Sequence, residues 1–354
     1  MSCAAVISVE GQPDEELGQT VRVEVEERIG EATRYRMKYP LAADAGDFPL
    51  LTDDRVGPGT AMSVTVPSDG PMGTCLVRGP VTGHRLELRH GTGGSWVEVQ
   101  GMDTSVVMDR EARSTMWSAV TDSEAVGTIV AGYGYVPDIE STAARHLDSA
   151  HALVQRESDL RFIRRLARRN GAAFWVTTDA TTGVETAHFK RLGSHMAPDV
   201  ALAVNVDPPS LDRIEISWDV ERPTSVTASQ LDLAGVSVFD GNVAASPVAP
   251  LGARGLAAIT GDTRSIHLAA PADDAGGLQA RGEAALIESD FFVRATGSTS
   301  RSRLGAVLRA HDVVELQGAG SLHSGSWIVS SVSHRIEGEG HRMEFELIRN
   351  AWGA

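Results

Sequence analysis

Gly305-Ala-Val-Leu-Arg-Ala-His-Asp-Val-Val-Glu-Leu-Gln-Gly-Ala-Gly320, then His323-Ser-Gly-Ser-Trp-Ile-Val-Ser-Ser-Val-Ser-His-Arg-Ile336, is the stretch on which the fold of this chain turns. The turn Glu337-Gly-Glu-Gly-His341 leads from it into Arg342-Met-Glu-Phe-Glu-Leu-Ile-Arg-Asn350. In that last run Met343, Phe345 and Leu347 fall on one side of a period of two, and Arg342, Glu344 and Glu346 on the other. This is the pattern of a half-buried strand. The run 327–336 is its partner, joined by a glycine-bearing turn of hairpin length. Two short glycine-punctuated strands precede it, so the segment is expected to close as a small antiparallel barrel or sandwich.

A second informative stretch lies far upstream, at Gln155-Arg-Glu-Ser-Asp-Leu-Arg-Phe-Ile-Arg-Arg-Leu-Ala-Arg-Arg-Asn-Gly171. Leu160, Ile163, Leu166 and Ala167 form one apolar stripe, and Gly171 sits where a C-terminal cap glycine belongs. This helix, the glycine-bounded strand ending at Gly318-Ala-Gly320, the hairpin opened by Gly325-Ser-Trp327, His334 at its end and the closing Leu347-Ile-Arg-Asn350 occur in a telling order. Together they resemble the late control protein D family, the baseplate hubs of contractile phage tails and related injection systems, including the hub portion of VgrG. The layout covers the whole chain; residue by residue the likeness is confined to the two quoted stretches.

Length and composition bound the answer. A chain of 354 residues buries about 75% of its unfolded surface on folding, enough to need no disulfide, and suggests two or three domains. The only cysteines are Cys3 and Cys75, read as incidental free thiols. No basic-then-apolar leader opens the sequence, and no run of about eighteen apolar residues exists to span a bilayer. The formal charge of -15 argues against a nucleic-acid surface as the main function. It suits either a solvated acidic surface or an acidic channel wall that repels DNA or cargo. Of the 32 basic residues only Lys38 and Lys190 are lysines, a bias that GC-rich coding explains.

The expected fold is α+β, mainly β, with two tube-like antiparallel β-barrel domains flanking a small α/β insertion. The expected boundaries are 1–110, 111–204 and 205–354. In the first zone Val21, Val23 and Val25 alternate with Arg22, Glu24 and Glu26; Leu86 and Leu88 flank Glu87, and Val97 and Val99 flank Glu98. Turns are marked by Asp69-Gly-Pro71, Thr82-Gly-His84 and Gly91-Thr-Gly-Gly94. In the insertion, 123–131 reads as a helix capped by Ser123, 157–170 as a second, and 173–177 with 185–190 as a strand pair. In the third zone Ile214, Ile216 and Trp218 alternate, 241–261 reads as a long loop, and 278–290 as a helix despite Gly282.

The chain carries no Gly-x-Ser-x-Gly elbow, no His-Glu-x-x-His, no P-loop and no Cys-x-x-Cys. His146 and His151 are off the spacing of a one-face metal pair. His334 and His341 flank the last turn and can approach each other, without a third ligand in view. Asp53-Asp54 and Asp273-Asp274 read as solvated turns. The helix arginines Arg161, Arg164, Arg165, Arg168 and Arg169 offer either a phosphate patch or carboxylate pairing, the latter expected between subunits. No catalytic, cofactor-binding or metal residue is therefore assigned, no cofactor is expected, and the chain is expected not to be an enzyme.

The resemblance implies a geometric role. Hubs of this kind form a homotrimeric ring in which three subunits, each with two tube-like barrels, create pseudo-sixfold symmetry. Such a ring joins the hexameric inner tube, or a tube-initiator protein, to the trimeric spike and contacts other baseplate proteins. It would be assembled in the bacterial cytoplasm as part of a phage tail or injection particle, with no membrane and no sequence-specific nucleic acid as partner. The sequence stops at Ala354, just past the hub segment, so the spike is expected to be a separate protein. The alternatives are a hub-associated peptidoglycan hydrolase and a luminal effector carrier.

Overall fold

A computed structural model of the chain describes residues 5–20, 22–42, 47–68, 73–90, 94–146, 153–192, 197–232, 237–269 and 275–353. Cys3, His151, Asp273-Asp274, the Asp69-Gly-Pro71 turn and residues 91–93 lie outside them.

Among the described residues thirteen strands form one sheet. Its path runs Ile214–Trp218, Val293–Ser300, Gly340–Arg349, Gly325–Glu337, Arg22–Arg28, Arg34–Pro40, Trp96–Met102, Thr74–Glu87, Ala61–Val66, Val6–Val9 and Gln12–Pro13. The alternating residues behave as their period dictates: Val23, Val25, Val97, Val99, Met343, Phe345 and Leu347 are all buried. Leu86 is exposed at the frayed end of its strand, and Leu88 is exposed beyond it. The C-terminal hairpin forms as expected, with Val332 opposite Phe345 and Glu337 opposite Gly340.

The expectation of two β-barrels is overturned. Among the described residues no sheet closes on itself; the path of the large sheet is open at Ile214–Trp218 and at Gln12–Pro13. The reason lies in the long strand Gly325–Glu337, which serves two partners along one edge. Its first half pairs with Val313–Gln317, itself parallel to Val200–Ala203. Its second half pairs with Arg22–Arg28, Ser331 opposite Arg28 and Ile336 opposite Val23. The switch falls at the irregularity between Val329 and Ser331, where a bulge lets a strand change direction. Strands from the two ends of the sequence thus fuse into one sheet instead of closing separately.

Glycine permits the closest approaches in the N-terminal half of this sheet. A Cβ on Gly79 would lie 2.0 Å from the Met102 carbonyl oxygen, and one on Gly101 would lie 2.1 Å from the Tyr35 ring. The Tyr35 hydroxyl donates to the Gly79 carbonyl at 3.2 Å. Gly79→Ala is therefore expected to lower the unfolding free energy by about 2 kcal/mol or more. Gly83→Ala, on the same strand but with open space around it, should change it by less than about 1 kcal/mol. Denaturant unfolding of the two variants checks this, and equal effects would contradict the packing described.

The insertion has its own core. Helix Asp122–Gly132 is capped by Thr121, not Ser123. The Thr121 hydroxyl accepts the Glu124 N–H and the Glu124 carboxylate accepts the Thr121 N–H, a reciprocal box that starts the helix earlier. Helix Asp159–Arg169 begins at Ser158, because residues 153–158 form a strand paired with Ala112–Trp117. Its stripe of Leu160, Ile163, Leu166 and Ala167 is buried, and Gly171 has φ +64. Strands Ala172–Thr178 and Glu185–Arg191 are antiparallel, with Val136–Ile139 added in parallel.

In the last third, Ser225–Asp232 lies between Ser237–Asp240 and Ser265–Leu268 in a small three-stranded sheet. Helix Ala275–Asp290 packs on it through Leu278 and Leu286 against Val226, Ala228 and Val243. Gly282 belongs to that contact: a Cβ there would meet the Val243 side chain at 2.9 Å. The 241–261 stretch is irregular up to a short helix, Leu256–Thr260. No helix among the described residues is long and apolar enough to cross a membrane.

Candidate functional site

Where the two halves of the large sheet meet, a buried polar knot replaces apolar packing. Glu27 continues the inward phase of Val23 and Val25, and would be an uncompensated charge there without a partner. Arg309 supplies one: its Nε donates to Glu27 Oε1 at 2.6 Å, and its two terminal nitrogens donate to the carbonyls of Cys75 (2.8 Å) and Leu76 (3.0 Å). The Ala310 N–H donates to Glu27 Oε2 at 3.0 Å. His334 Nε2 stands 3.5 Å from the same carboxylate, and His334 Nδ1 shares a hydrogen bond of 3.0 Å with His341 Nε2. Burial alone would raise the Glu27 carboxyl; Arg309, His334 and the Ala310 N–H outweigh it and hold it below the usual range. Burial, aided by His334 and Arg301, pushes His341 down to about 3, so it stays neutral at physiological pH. The expected approach of His334 and His341 is real; a carboxylate and an arginine complete it.

The residues that carried the sequence resemblance turn out to be structural ties. Arg349 is completely buried and, among the described residues, pairs with no carboxylate. It donates to the carbonyls of Gly353 (2.7 Å), Ser324 (3.0 Å), Leu251 (3.2 Å) and, more distantly, Leu322 (3.5 Å), and lies over the Trp327 ring. Asn350 holds the 241–255 loop, accepting from the Leu251 N–H at 2.8 Å and donating to the Ala249 carbonyl at 3.1 Å. Upstream, Gln155 bonds Asp159 at 2.6 Å and the Trp117 indole at 3.2 Å, while Asp159 accepts from Tyr133 at 2.8 Å. The Gln-x-Glu-Ser-Asp run thus locks a strand onto the helix that follows it.

Three of the five helix arginines are engaged by carboxylates. Arg161 pairs with Asp109 at 3.1 Å, Arg165 with Glu157 at 2.6 Å, and Arg169 with Asp122, which also receives His146 at 2.9 Å. These three pairs lie within one chain, whereas the sequence reading expects pairing between subunits. Asp53 caps the turn Asp54–Val56 and holds the Arg55 guanidinium. Cys75 is a buried free thiol. Among the described residues no three His, Cys, Asp or Glu side chains are grouped so as to hold a metal ion.

Apolar side chains are exposed on several strands among the described residues, two of them notable. The edge strand Ile214–Trp218 is paired on one side only and exposes Trp218 by 54%. The ribbon strand Ala112–Trp117 is exposed along nearly its whole length, with Met116 65% exposed opposite Val154. A cavity of about 700 Å³ opens between the insertion and the sheet junction, lined by Trp175, His188, His311 and Asp312 among others.

This architecture is shared with phage tail proteins. The 43 kDa tail protein of prophage MuSo2 from Shewanella oneidensis superposes with a TM-score of 0.68 at 13% identity, covering 99% of each chain. A tail protein from Neisseria meningitidis gives 0.66 at 14%, covering 99% of this chain and 97% of that one. An E. coli component of the type VI secretion system, described as similar to the T4 tail proteins gp27 and gp5, gives 0.60 at 14%, covering 98% and 78%. The fold is therefore that of the phage tail and baseplate hub proteins, gp27- and VgrG-like. No curated protein matches the chain. Residues 2–195, more than half of the chain, match the family described as the Alg8 N-terminal domain, and the chain belongs to that family.

Proposed function

We propose that this protein is a structural, non-catalytic baseplate hub of a contractile tail or injection particle. The observation that carries this reading is the likeness to tail proteins along the full length of both chains, rather than over one common module. On this reading three copies form a ring, each contributing the N-terminal and C-terminal halves of its large sheet. Six similar sheet segments then face the hexameric inner tube on one side, and threefold symmetry faces the spike on the other. Segments 1–110, 111–204 and 205–354 act as first half, insertion and second half. The free edge at Ile214–Trp218 and the exposed ribbon at Ala112–Trp117 supply contacts to neighbouring subunits, which for a stable ring need on the order of 2,000 Å² each. Assembly takes place in the bacterial cytoplasm, before the particle acts.

The reading is tested by mixing the purified chain with candidate spike and inner-tube proteins and separating the products by size. Co-elution with both, and no clearing of a peptidoglycan suspension, is the expected outcome. Binding to neither partner, or lysis of the suspension that a carboxylate substitution abolishes, would overturn it.

A further inference from the structure

We propose that the cavity between the insertion and the sheet junction is a receptor for an arginine side chain presented by a neighbouring protein subunit. Its wall is assembled from three separate parts of the chain: Glu31 beside the first sheet segment, Asp138, Trp175 and His188 in the insertion, and His311 with Asp312 before the last hairpin. The cations of the wall are already engaged. Arg309 is committed to Glu27 at 2.6 Å, Lys190 to Asp138 at 2.7 Å, Arg191 to Glu140 at 3.7 Å, and Arg28 to Glu31 at 3.9 Å. Asp312 alone is left with no ion pair of its own among the described residues, so the cavity carries one unmatched negative charge. Burial pushes its carboxyl up to about 6, tempered by the Arg309 guanidinium, which marks a carboxylate in need of a cation.

The second observation is the aromatic platform beside that charge. The Trp175 ring stacks on His311 with centroids 3.8 Å apart and planes within 10°, and on His188 at 4.8 Å and 16°. His311 is held in this stack at φ +79, a left-handed conformation that costs a non-glycine residue on the order of 1–3 kcal/mol and tends to mark functional positions. The two imidazoles cover both faces of the indole, so a guanidinium, which is planar, stacks on rings and binds carboxylates through paired N–H groups, would lie against the outer imidazole face of the stack beside the unmatched carboxylate. Ile139, Val176 and Leu192 line the same space and suit the aliphatic stem. An anionic group would be repelled by the carboxylate, and a neutral polar group would gain no charge match.

The cavity chemistry stands on the fold alone; only the origin of the arginine, a neighbour in the particle, rests on the hub reading. The test is a titration of the isolated chain with N-acetyl-arginine amide, followed by the indole N–H resonance of Trp175, assigned through Trp175→Phe. N-acetyl-citrulline amide, of the same shape without the charge, is the control at constant ionic strength. A saturable shift with the arginine compound, little response to citrulline, and at least about tenfold weaker binding in Asp312→Asn are expected. Equal responses to the two compounds, no saturable shift, or undiminished binding in a folded Asp312→Asn chain would overturn the proposal. The arginine–citrulline comparison needs no variant, so it decides even if Asp312→Asn does not fold. A negative titration leaves the hub reading standing, and failure of the spike and tube to co-elute leaves the cation site standing.

Discussion

Arg349→Met is expected to destabilise the protein by about 3 kcal/mol or more, because the substitution preserves bulk but strands several buried carbonyls at once. Arg349 is the common donor to Leu251, Ser324 and Gly353, and it reinforces the Arg254–Trp352 bridge and the Gly353 N–H to Leu322 bond that join the same segments. Methionine fills the space above Trp327 and offers no donor. Each abandoned carbonyl costs about 1–3 kcal/mol unless water reaches it. Lysine should recover only part of the loss, since an ammonium cannot span the same fork of acceptors. The loss should also be local in its signature: the 241–255 loop, held by Arg349 and Asn350, becomes the first site of proteolysis. Denaturant midpoints and a timed digest measure both effects. A loss under about 1 kcal/mol with an unchanged cleavage pattern would contradict the role given to Arg349.

Glu27→Gln is expected to cost about 3–5 kcal/mol, the usual penalty for removing one partner of a buried ion pair. Arg309 would remain charged, bonded to two carbonyls and facing an amide. The double variant Glu27→Leu with Arg309→Met should recover much of that loss, because the penalty lies in the unpaired charge and not in the absence of the pair. The pH dependence has a definite sign. The folded Glu27 carboxyl lies below its ordinary value of 4.5. Its contribution is thus fully present above that value and is lost as pH falls through the lower folded one. His341, pushed down to about 3, acts in the same direction from a higher start: below about 6.5 the unfolded chain binds a proton that the folded chain refuses. Asp312, raised to about 6, opposes it by taking up a proton in the folded state first. Wild-type stability should therefore fall on acidification, and most steeply below about pH 4.5 where Glu27 joins in. In Glu27→Gln that last steep portion should flatten. An unchanged slope would place the acid sensitivity elsewhere.

The strands and their buried faces were legible in the period of two, because alternation records which side of a sheet meets the core. It does not record which strand lies alongside. Arg22–Arg28 pairs with residues 331–336, close to the other end of the chain. That non-local pairing turns two imagined barrels into one open sheet. The polar ties were legible in principle. Glu27 follows Val23 and Val25 in phase, His334 stands between Val332 and Ile336, and His341 and Arg349 bracket Met343, Phe345 and Leu347. A charged or imidazole group on the apolar side of a strand announces a buried partner. What the pattern could not supply is the identity of that partner: Arg309 reaches Glu27 from a loop, and the acceptors of Arg349 are backbone carbonyls, which have no residue code. The cap of the first insertion helix was misplaced for a simpler reason. Thr121 and Ser123 are both good capping residues, and only the Thr121–Glu124 spacing distinguishes the box that forms. The cavity was invisible because Trp175 and the adjacent pair His311-Asp312 come from separate segments that only the tertiary fold brings together.

The hub reading stands most directly on the number of copies in the assembled state. Light scattering on the chain alone, and mixed with a candidate spike protein, reads that number without reference to fold. A mass of three chains, in isolation or on addition of spike, is the predicted result. A stable monomer at micromolar concentration under both conditions would contradict the ring and leave only the fold in common with the tail proteins.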